Sequence, residues 1–512
     1  MSKEKKGLTR RGFLKGAVVG AGCLALSEVG FKEAIAAPRL KWNRETDVLI
    51  VGGGMSGLTA AIVAYDTKAK VLVVEKEPVM GGCLNIYGGI LSGAGTRIQK
   101  AQGIVDSPEA HFLDCMRGGD FKNYAPLLKL ECDNAGPTID WLQDMGVTFR
   151  DNKAWVYPEW RGVARSYYSQ PRTISRDVIT REIRKREIPV ITKTRVVKIY
   201  KDAKSKRVIG VEAKGEKGDN VNIRAKVVVL TTGGFANNFE MIEKYCRERK
   251  TRITVAAPWA TGDGIMLGTD VGAGLTHMKY LRSYAWGLDL KSNRRGITAG
   301  SEARFQGAIQ VDKKGRRFVN EMGSKADTED GARKLPNMTF YLVVDSVIIE
   351  KCINSPYGFI GGWDRNRVFK EAERGEFIKK ADTVRGVAEK AGIDPAGLEA
   401  TIIRYNKFVA EKKDPDFGRK ELQEKIEKPP FYVLELTPIA MYGHGGLTVK
   451  VDGRDSLKVV NKEGEVIPGL YAAGEIVGGF NGANASSGMG ATPCFVFGRI
   501  AGKNAALEAL EM

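Results

Sequence analysis

The spacing of hydrophobic positions changes several times along this chain, and each change marks an element. Asp47–Val51 (DVLIV) and Lys70–Val74 (KVLVV) are short apolar runs rich in Val, the pattern of strands buried on both faces of a parallel sheet. Ser56–Tyr65 between them (SGLTAAIVAY) reads as a helix. Residues 109–146 also read as helical, with Leu127, Leu128, Leu130, Ile139, Trp141 and Leu142 available to a core. From 190 to 230, VVKIY, RVIGVEA and AKVVVLTTGG alternate or run apolar between Lys, Gly and Asp turns, which predicts a small strand meander. After Phe235 the apolar runs shorten and charged and aromatic residues increase. A helix begins there at Asp394 as N-cap with Pro395 in its first turn, and Leu398, Ile402, Tyr405 and Val409 recur behind it at helical spacing. Past Pro429-Pro430 the chain returns to glycine-rich, strand-like character (GHGGLTVKVDG, VIPGLYAAGEIVGG) and ends in a glycine turn feeding a long helix. No internal repeat is evident. These shifts divide the chain into 37–235 and 436–512, two parts of one α/β domain, with 236–435 inserted between them.

Glycines then add chemistry to the first strand–helix–strand unit. Gly52, Gly54 and Gly57 fit G-x-G-x-x-G, and Glu75 follows the second strand. The first glycine permits a tight turn, the second a close approach of pyrophosphate, and the third close packing of helix on strand. The helix N-terminus offers unpaired N–H groups to phosphates, and Glu75 can accept hydrogen bonds from a ribose. The unit implies a dinucleotide without saying which. Gly81-Gly82 and Gly88-Gly89 suggest backbone passing near a flat ligand, or a plain loop. Thr231-Thr232-Gly233-Gly234 runs from a strand into a glycine turn, as a sheet does where it returns to a bound nucleotide. In 151–185, Arg161, Arg165, Tyr167 and Tyr168 line a substrate mouth or belong to a solvated loop.

Composition narrows the class. Length 512 allows two or three domains, and 61 glycines exceed the usual ~7%. The formal charge of +19 would suit nucleic acid, anionic lipid or an acidic protein, but the basic residues are dispersed and no nucleic-acid-reading motif is present. Seven scattered cysteines without Cys-x-x-Cys, and three scattered histidines (111, 277, 444), argue against a zinc site, an iron–sulfur cluster, c-type haem or a histidine metal cage; no metal site is expected. Thr9–Lys15 (TRRGFLK), a modest apolar stretch from Gly16 to Leu26 and Ala34-Ile35-Ala36 match a twin-arginine export signal over residues 1–36. The alternatives are a basic tail or a lipoprotein signal at Cys23. Export by that route moves folded protein, so the cofactor would be bound in the cytoplasm and the translocase would be a transient partner.

Taken together, VGGGMSG, Glu75-Lys76, GGCLNIYGG, TTGGF, GDG, GRRFVNE, PGLYAAGE and FGRIAG occur in the order of a known family. From about residue 45 to its end, the chain resembles the soluble fumarate reductase-type flavoproteins, which include urocanate reductases and 3-ketosteroid dehydrogenases. The resemblance implies a Rossmann-like FAD-binding domain split in sequence, an inserted α+β capping domain closing over the isoalloxazine ring, and non-covalent FAD. It marks Gly52, Gly54, Ser56, Gly57, Glu75, Lys76, Gly82, Cys83, Gly88, Gly89, Val197, Asp263, Glu475, Ser486 and Ser487 as cofactor-binding; Cys83 stands where many members have Asn.

The resemblance also implies hydride delivery to one carbon of an activated double bond while an acid protonates the other. Lys325 falls at the family's acidic arginine, Arg304 at its relay arginine, and Ser301, beside Glu302, at the relay carboxylate. The two substrate-binding histidines fall on Tyr284 and Met441, and the second carboxylate-clamping arginine on Ala485. Without that clamp a dianion loses its main anchor, so fumarate is not the expected substrate. Lys325, Arg304, Tyr284 and Tyr442 remain as catalytic candidates, with His444 either structural or catalytic. The expected function is an exported FAD-dependent reductase of an enoate or enone, fed by a separate cytochrome. The alternatives are a dehydrogenase of a cyclic ketone or 3-ketosteroid and a flavin electron-transfer subunit.

Overall fold

Arg44–Val51 pairs in parallel with Val71–Val74 on one side and with Asn220–Leu230 on the other. Val48, Leu49 and Ile50 are fully buried, as the uninterrupted apolar run requires. Val190–Ile191 and Val466–Ala472 extend the sheet in parallel, and Lys458–Val460 closes one edge antiparallel. The meander expected at 190–230 is present as Arg195–Lys201 and Val208–Lys214, pairing antiparallel toward Asn220–Leu230. This computed structural model describes residues 41–512 except 88, 158–159, 170–173, 324 and 356–357, and leaves the side chains at 174–175 and 325–326 undescribed. The segment read as an export signal lies outside the described residues, as does Gly88.

The two ends of the α/β domain are held together by helix packing. The C-terminal helix Thr492–Leu510 lies against Met55–Asp66, the helix of the glycine motif. A Cβ at Gly498 would press on the carbonyl oxygen of Ser56, and one at Gly502 on that of Ala60. Gly57 is tighter still: a Cβ there would overlap the Gly52 carbonyl oxygen. The third glycine therefore does what its spacing predicts, letting the helix lie directly on the preceding turn.

A second sheet carries the inserted region. Its order is Ile253–Thr254, Arg295–Thr298, Leu281–Ser292, Phe431–Gly443, Phe340–Val344 and Ile309–Val311, with Ile378–Ala381 also on Phe431–Gly443. Pro395–Glu411 is the helix expected behind Asp394, whose side chain accepts from the Ala396 N–H at 3.2 Å. Residues 109–146 form two helices, Pro108–Gly118 and Ala125–Asp144.

Two strands belong to both hydrophobic cores. Leu281 and Ala440 pack in the core of the first sheet, whereas Ala285, Trp286, Leu288 and Phe431–Leu434 pack in that of the second. The return from the insertion, expected at 435/436, falls inside the 13-residue strand Phe431–Gly443. Composition could not show this, because one strand serves both cores.

The aromatic and basic cluster expected at 161–168 separates. Arg165 is fully buried, pairing with Asp106 at 2.6 Å and Asp114 at 2.7 Å. Tyr167, also fully buried, shares a 2.7 Å hydrogen bond with Thr96. Neither lines a substrate mouth or lies in a solvated loop; both are anchored in the interior, while Arg161 is exposed. Among the described residues no helix is long and apolar enough to cross a membrane.

Candidate active site

The carboxyl ends of Arg44–Val51, Val71–Val74 and Asn220–Leu230 meet at a cleft of about 910 Å³, counted to its open mouth. Ligands of open parallel sheets bind at such ends, outside the strands. Gly52, Gly54, Ser56, Glu75, Lys76, Gly82, Cys83, Asp263 and Glu475 all line it, joined by Thr231–Gly234. The lining residues come from segments up to 443 positions apart in the chain (Val51 to Cys494).

Polar contacts hold the walls in place. Glu75 Oε2 accepts from the Gly53 N–H at 2.6 Å and Oε1 from the Glu77 N–H at 2.7 Å, which fixes the glycine turn against the second strand. Burial raises this carboxyl above its ordinary value, opposed by those N–H groups. Lys76 Nζ donates to Trp259 O, Thr261 Oγ1 and Asp263 Oδ2 at 2.8–3.0 Å, and Arg195 pairs with Asp263 Oδ1 at 2.9 Å. Burial works to raise Asp263, but the Thr261 hydrogen bond and the charges of Lys76 and Arg195 hold it below the usual carboxylate range.

Not every expected cofactor residue faces the cleft. Gly57 sits behind the turn. Gly89 hydrogen-bonds through its carbonyl to the Ser169 N–H at 2.7 Å. Val196 rather than Val197 lines the cleft; Val197 lies between the register pairs Val196↔Ala213 and Lys198↔Glu212, and its side chain is exposed. Ser486 is buried and abuts Gly118, and neither it nor Ser487 is among the lining residues. Trp259, Arg195 and Cys494 line the cleft without any motif to announce them.

Two cleft oxygens lack partners. Glu475 Oε1 and Thr232 Oγ1 are buried and accept no hydrogen bond within the protein. Burial lifts the Glu475 carboxyl to about 7, against the pull of the Gly443 and Gly234 N–H groups. Because the folded value lies above the unfolded one near 4.5, the native state binds the extra proton between them. Stability of the cofactor-free protein should therefore fall as pH rises from ~4.5 to ~7, by up to ~3 kcal/mol from this residue. Chemical denaturation at pH 5 and pH 8 checks it: Glu475→Gln should show a smaller loss than the wild type, and equal losses would contradict the assignment.

Beside the cleft, the strands that span both cores bring a second group together. Arg282 is paired in register with Tyr442, and Tyr284 follows on the same strand. The Arg282 guanidinium donates to Asn484 Oδ1 and lies 4.9 Å from the Tyr284 ring centroid. Tyr442 reaches the cleft wall at Gly490, where an added Cβ would stand 3.5 Å from its hydroxyl. Burial holds its phenol well above the ordinary value, partly offset by Arg282. His444 packs on Tyr442 with centroids 5.5 Å apart. Its Nδ1 lies 3.1 Å from Gly482 O, and burial beside Arg282 takes it down to about 3. It is thus a neutral imidazole, which suits the structural reading.

Arg304 lies in the short helical turn Ala303–Gln306 and packs on the second sheet at Trp286. Its guanidinium carbon lies 4.6 Å from the Trp286 ring centroid and 4.5 Å from that of Phe305. Burial lowers its pKa. The GRRFVNE motif supports it indirectly. Arg317, Glu321, Asp414 and Arg419 form a buried ion network, from which Arg419 donates to Arg304 O at 2.6 Å. Lys325 begins the helix Lys325–Arg333, which docks through Glu329 onto Ser283, between Arg282 and Tyr284. Met441 lies on the Phe431–Gly443 strand and Ala485 is buried beside Tyr442. Arg282 and Asn484 were not singled out from the sequence. Alternation along Leu281–Ser292 would have put Arg282 and Tyr284 on one face, but nothing local announced the strand's partner.

The family described as FAD binding domain matches residues 47–491. A fumarate reductase (cytochrome) of Shewanella frigidimarina is 32% identical over 469 residues, spanning 90% of this chain and 77% of that protein. An acrylate reductase flavoprotein subunit of Shewanella woodyi is 28% identical over 529 residues, spanning 97% and 98%. The open conformation of a flavocytochrome c3 fumarate reductase superposes with a TM-score of 0.79 at 28% identity, covering 92% of this chain and 79% of that one.

Proposed function

This chain belongs to the FAD binding domain family, and we propose that it reduces the activated carbon–carbon double bond of an enoate or enone carrying at most one carboxylate. It is an FAD-dependent oxidoreductase acting on CH–CH groups. The residues present fit FAD: the glycine turn leaves space beside the helix N-terminus, and the unpartnered oxygens of Glu475 and Thr232 supply acceptors for hydroxyl groups. When bound, FAD supplies the hydride-transfer chemistry.

One observation carries the choice of substrate class. Arg282, Tyr284 and Tyr442 converge beside the cleft wall, while Met441 and Ala485 stand where a dicarboxylate clamp would be expected. The Arg282 guanidinium with Asn484 beside it suits one carboxylate or carbonyl, with Arg304 assigned to the proton relay. The Tyr284 and Tyr442 rings provide apolar faces for the remainder of the substrate. Lys325 serves as proton donor to the α-carbon of the α,β-unsaturated system, with Arg304 behind it in the relay, and the second sheet excludes water. The relative named an acrylate reductase flavoprotein subunit supports both a monocarboxylate substrate and a donor on another polypeptide. A separate cytochrome is the proposed donor, guided to the basic surface by its own acidic residues. Export rests on Thr9–Lys15.

The test is anaerobic. Protein reduced with dithionite is mixed with monocarboxylate enoates, cyclic enones and fumarate, and flavin reoxidation is followed. Monoenoates should reoxidise it fastest and fumarate poorly. Reoxidation no faster than in buffer for every compound would end the proposal. Oxidation of saturated cyclic ketones with an artificial acceptor would instead favour the dehydrogenase reading.

A further inference from the structure

Away from the cleft, the helices Pro108–Gly118 and Ala125–Asp144 bury another set of reactive side chains. His111 and Cys115 stand one turn apart on the first helix, and Cys132 meets them from the second. An imidazole nitrogen and the two sulfurs all lie within 4.8 Å of one another. His111 and Cys132 are fully buried and Cys115 nearly so. Neither ring nitrogen of His111 makes a hydrogen bond of good geometry, its polar interaction being with the Cys115 thiol, and Oε1 of the fully buried Glu131 has no partner. The other Glu131 oxygen accepts from the Cys132 thiol at 3.2 Å. Three buried polar atoms without a well-formed hydrogen bond around two thiols need an explanation, and the apolar wall of Leu128, Trp160 and Met489 offers none.

We propose that His111, Cys115 and Cys132 form a buried binding site for a thiophilic metal ion, Zn²⁺ or Cu⁺, with Glu131 at the fourth position. Sulfur and imidazole donors select such ions over Mg²⁺ or Ca²⁺. Tetrahedral zinc with Zn–S about 2.3 Å and Zn–N about 2.0 Å sets its ligand atoms ~3.5–3.8 Å apart, so the three donors need to close by only about an ångström. The absence of Cys-x-x-Cys concealed the site, because its donors come from two helices and not from one loop. Binding displaces the two thiol protons without any change of oxidation state, so occupancy declines as pH falls.

The ion would join the two helices behind the loop that serves the active site. The Ala483 N–H donates to Gly119 O at 3.0 Å, Ala485 and Met489 pack in the same cluster as Cys115 and Cys132, and Asn484 of that loop accepts from Arg282. The site stands independently of the substrate proposed above.

The experiment uses the full chain with FAD bound, carrying no histidine tag and produced in zinc- or copper-supplemented cultures. Elemental analysis should find about one ion per chain after gel filtration, and the ion retained tells zinc from copper. X-ray absorption at the metal edge should show two sulfur neighbours and one nitrogen. Cys115→Ser and Cys132→Ser should each lower metal content at least ~10-fold at unchanged FAD content. If those variants do not fold, the wild-type absorption spectrum decides. No bound ion, a shell of oxygen and nitrogen only, or full metal content in both variants would overturn the proposal. A Cys115–Cys132 disulfide in unreduced protein, seen by mass spectrometry after alkylation, would overturn it equally, since oxidised sulfur is no ligand.

Discussion

Lys325→Ala protein should bind FAD as fully as the wild type and lose on the order of 10²–10⁴-fold in turnover with its best enoate, the range for removing a general acid. Lys325 is at least 58 positions in sequence from every described residue that lines the cofactor cleft. Its helix is held by Glu329, which accepts from Ser283 and pairs with Arg333, and the variant keeps those two anchors. Flavin reduction by dithionite should be unchanged, and the loss should appear only when substrate reoxidises the flavin. Lys325→Arg should recover part of the rate with its pH limit moved upward, since a guanidinium holds its proton more tightly than an ammonium. Stopped-flow reoxidation across pH separates these outcomes. Undiminished turnover in Lys325→Ala would assign the acid elsewhere, with Tyr442 next in line.

Arg282→Met should cost about 100-fold in kcat/KM for a monocarboxylate substrate, or roughly 2.7 kcal/mol of transition-state stabilisation. The mechanism is loss of a charge-assisted anchor in a buried setting. An amide or methyl ester of the same substrate should be affected far less, because it carries no charge to anchor. That comparison separates binding from damage to the site. Removing Arg282 also takes one of two donors from Asn484 Oδ1, leaving the Ala485 N–H at 3.0 Å, and such damage to the loop would slow both substrates alike. Equal losses on acid and amide would therefore show that Arg282 shapes the loop and does not hold a carboxylate.

How far the chain could be read without its structure follows from where each interaction lies. The cofactor half was legible because its parts are local. Strand, glycine turn, helix and second strand lie within residues 47–75, and Gly57 is constrained by Gly52, five positions away. The terminal acid Glu475 needed the family pattern, since it shares the cleft with residues 400 positions earlier. Val197 illustrates a smaller limit. A strand's two faces alternate, so one irregular pairing between Val196 and Lys198 decides which valine faces the ligand. Arg165 and Tyr167 show the same dependence on context, as a basic and aromatic stretch reads like a surface until Asp106 and Asp114 are seen beside it.

The substrate half could be inferred only by departure from a pattern. Tyr284, Arg304 and Ala485 could be placed by resemblance, whereas no motif singled out Arg282. Its importance comes from pairing with Tyr442, 160 residues later, and from Asn484, 202 residues later on a loop. The same holds for His111, Cys115 and Cys132, whose closeness depends on how two helices pack.

The sequence by itself determined the α/β class and a dinucleotide site, because apolar periodicity and glycine placement act over a few residues, and its family resemblance added FAD and the split of its domain. The tertiary structure alone decided that one strand serves both cores, that Arg282 stands with Tyr284 and Tyr442 beside the cleft, and that two cysteines meet a histidine in the interior. Those outcomes depend on strand register and helix packing, which are set by the burial of the whole chain and leave no mark at any single position.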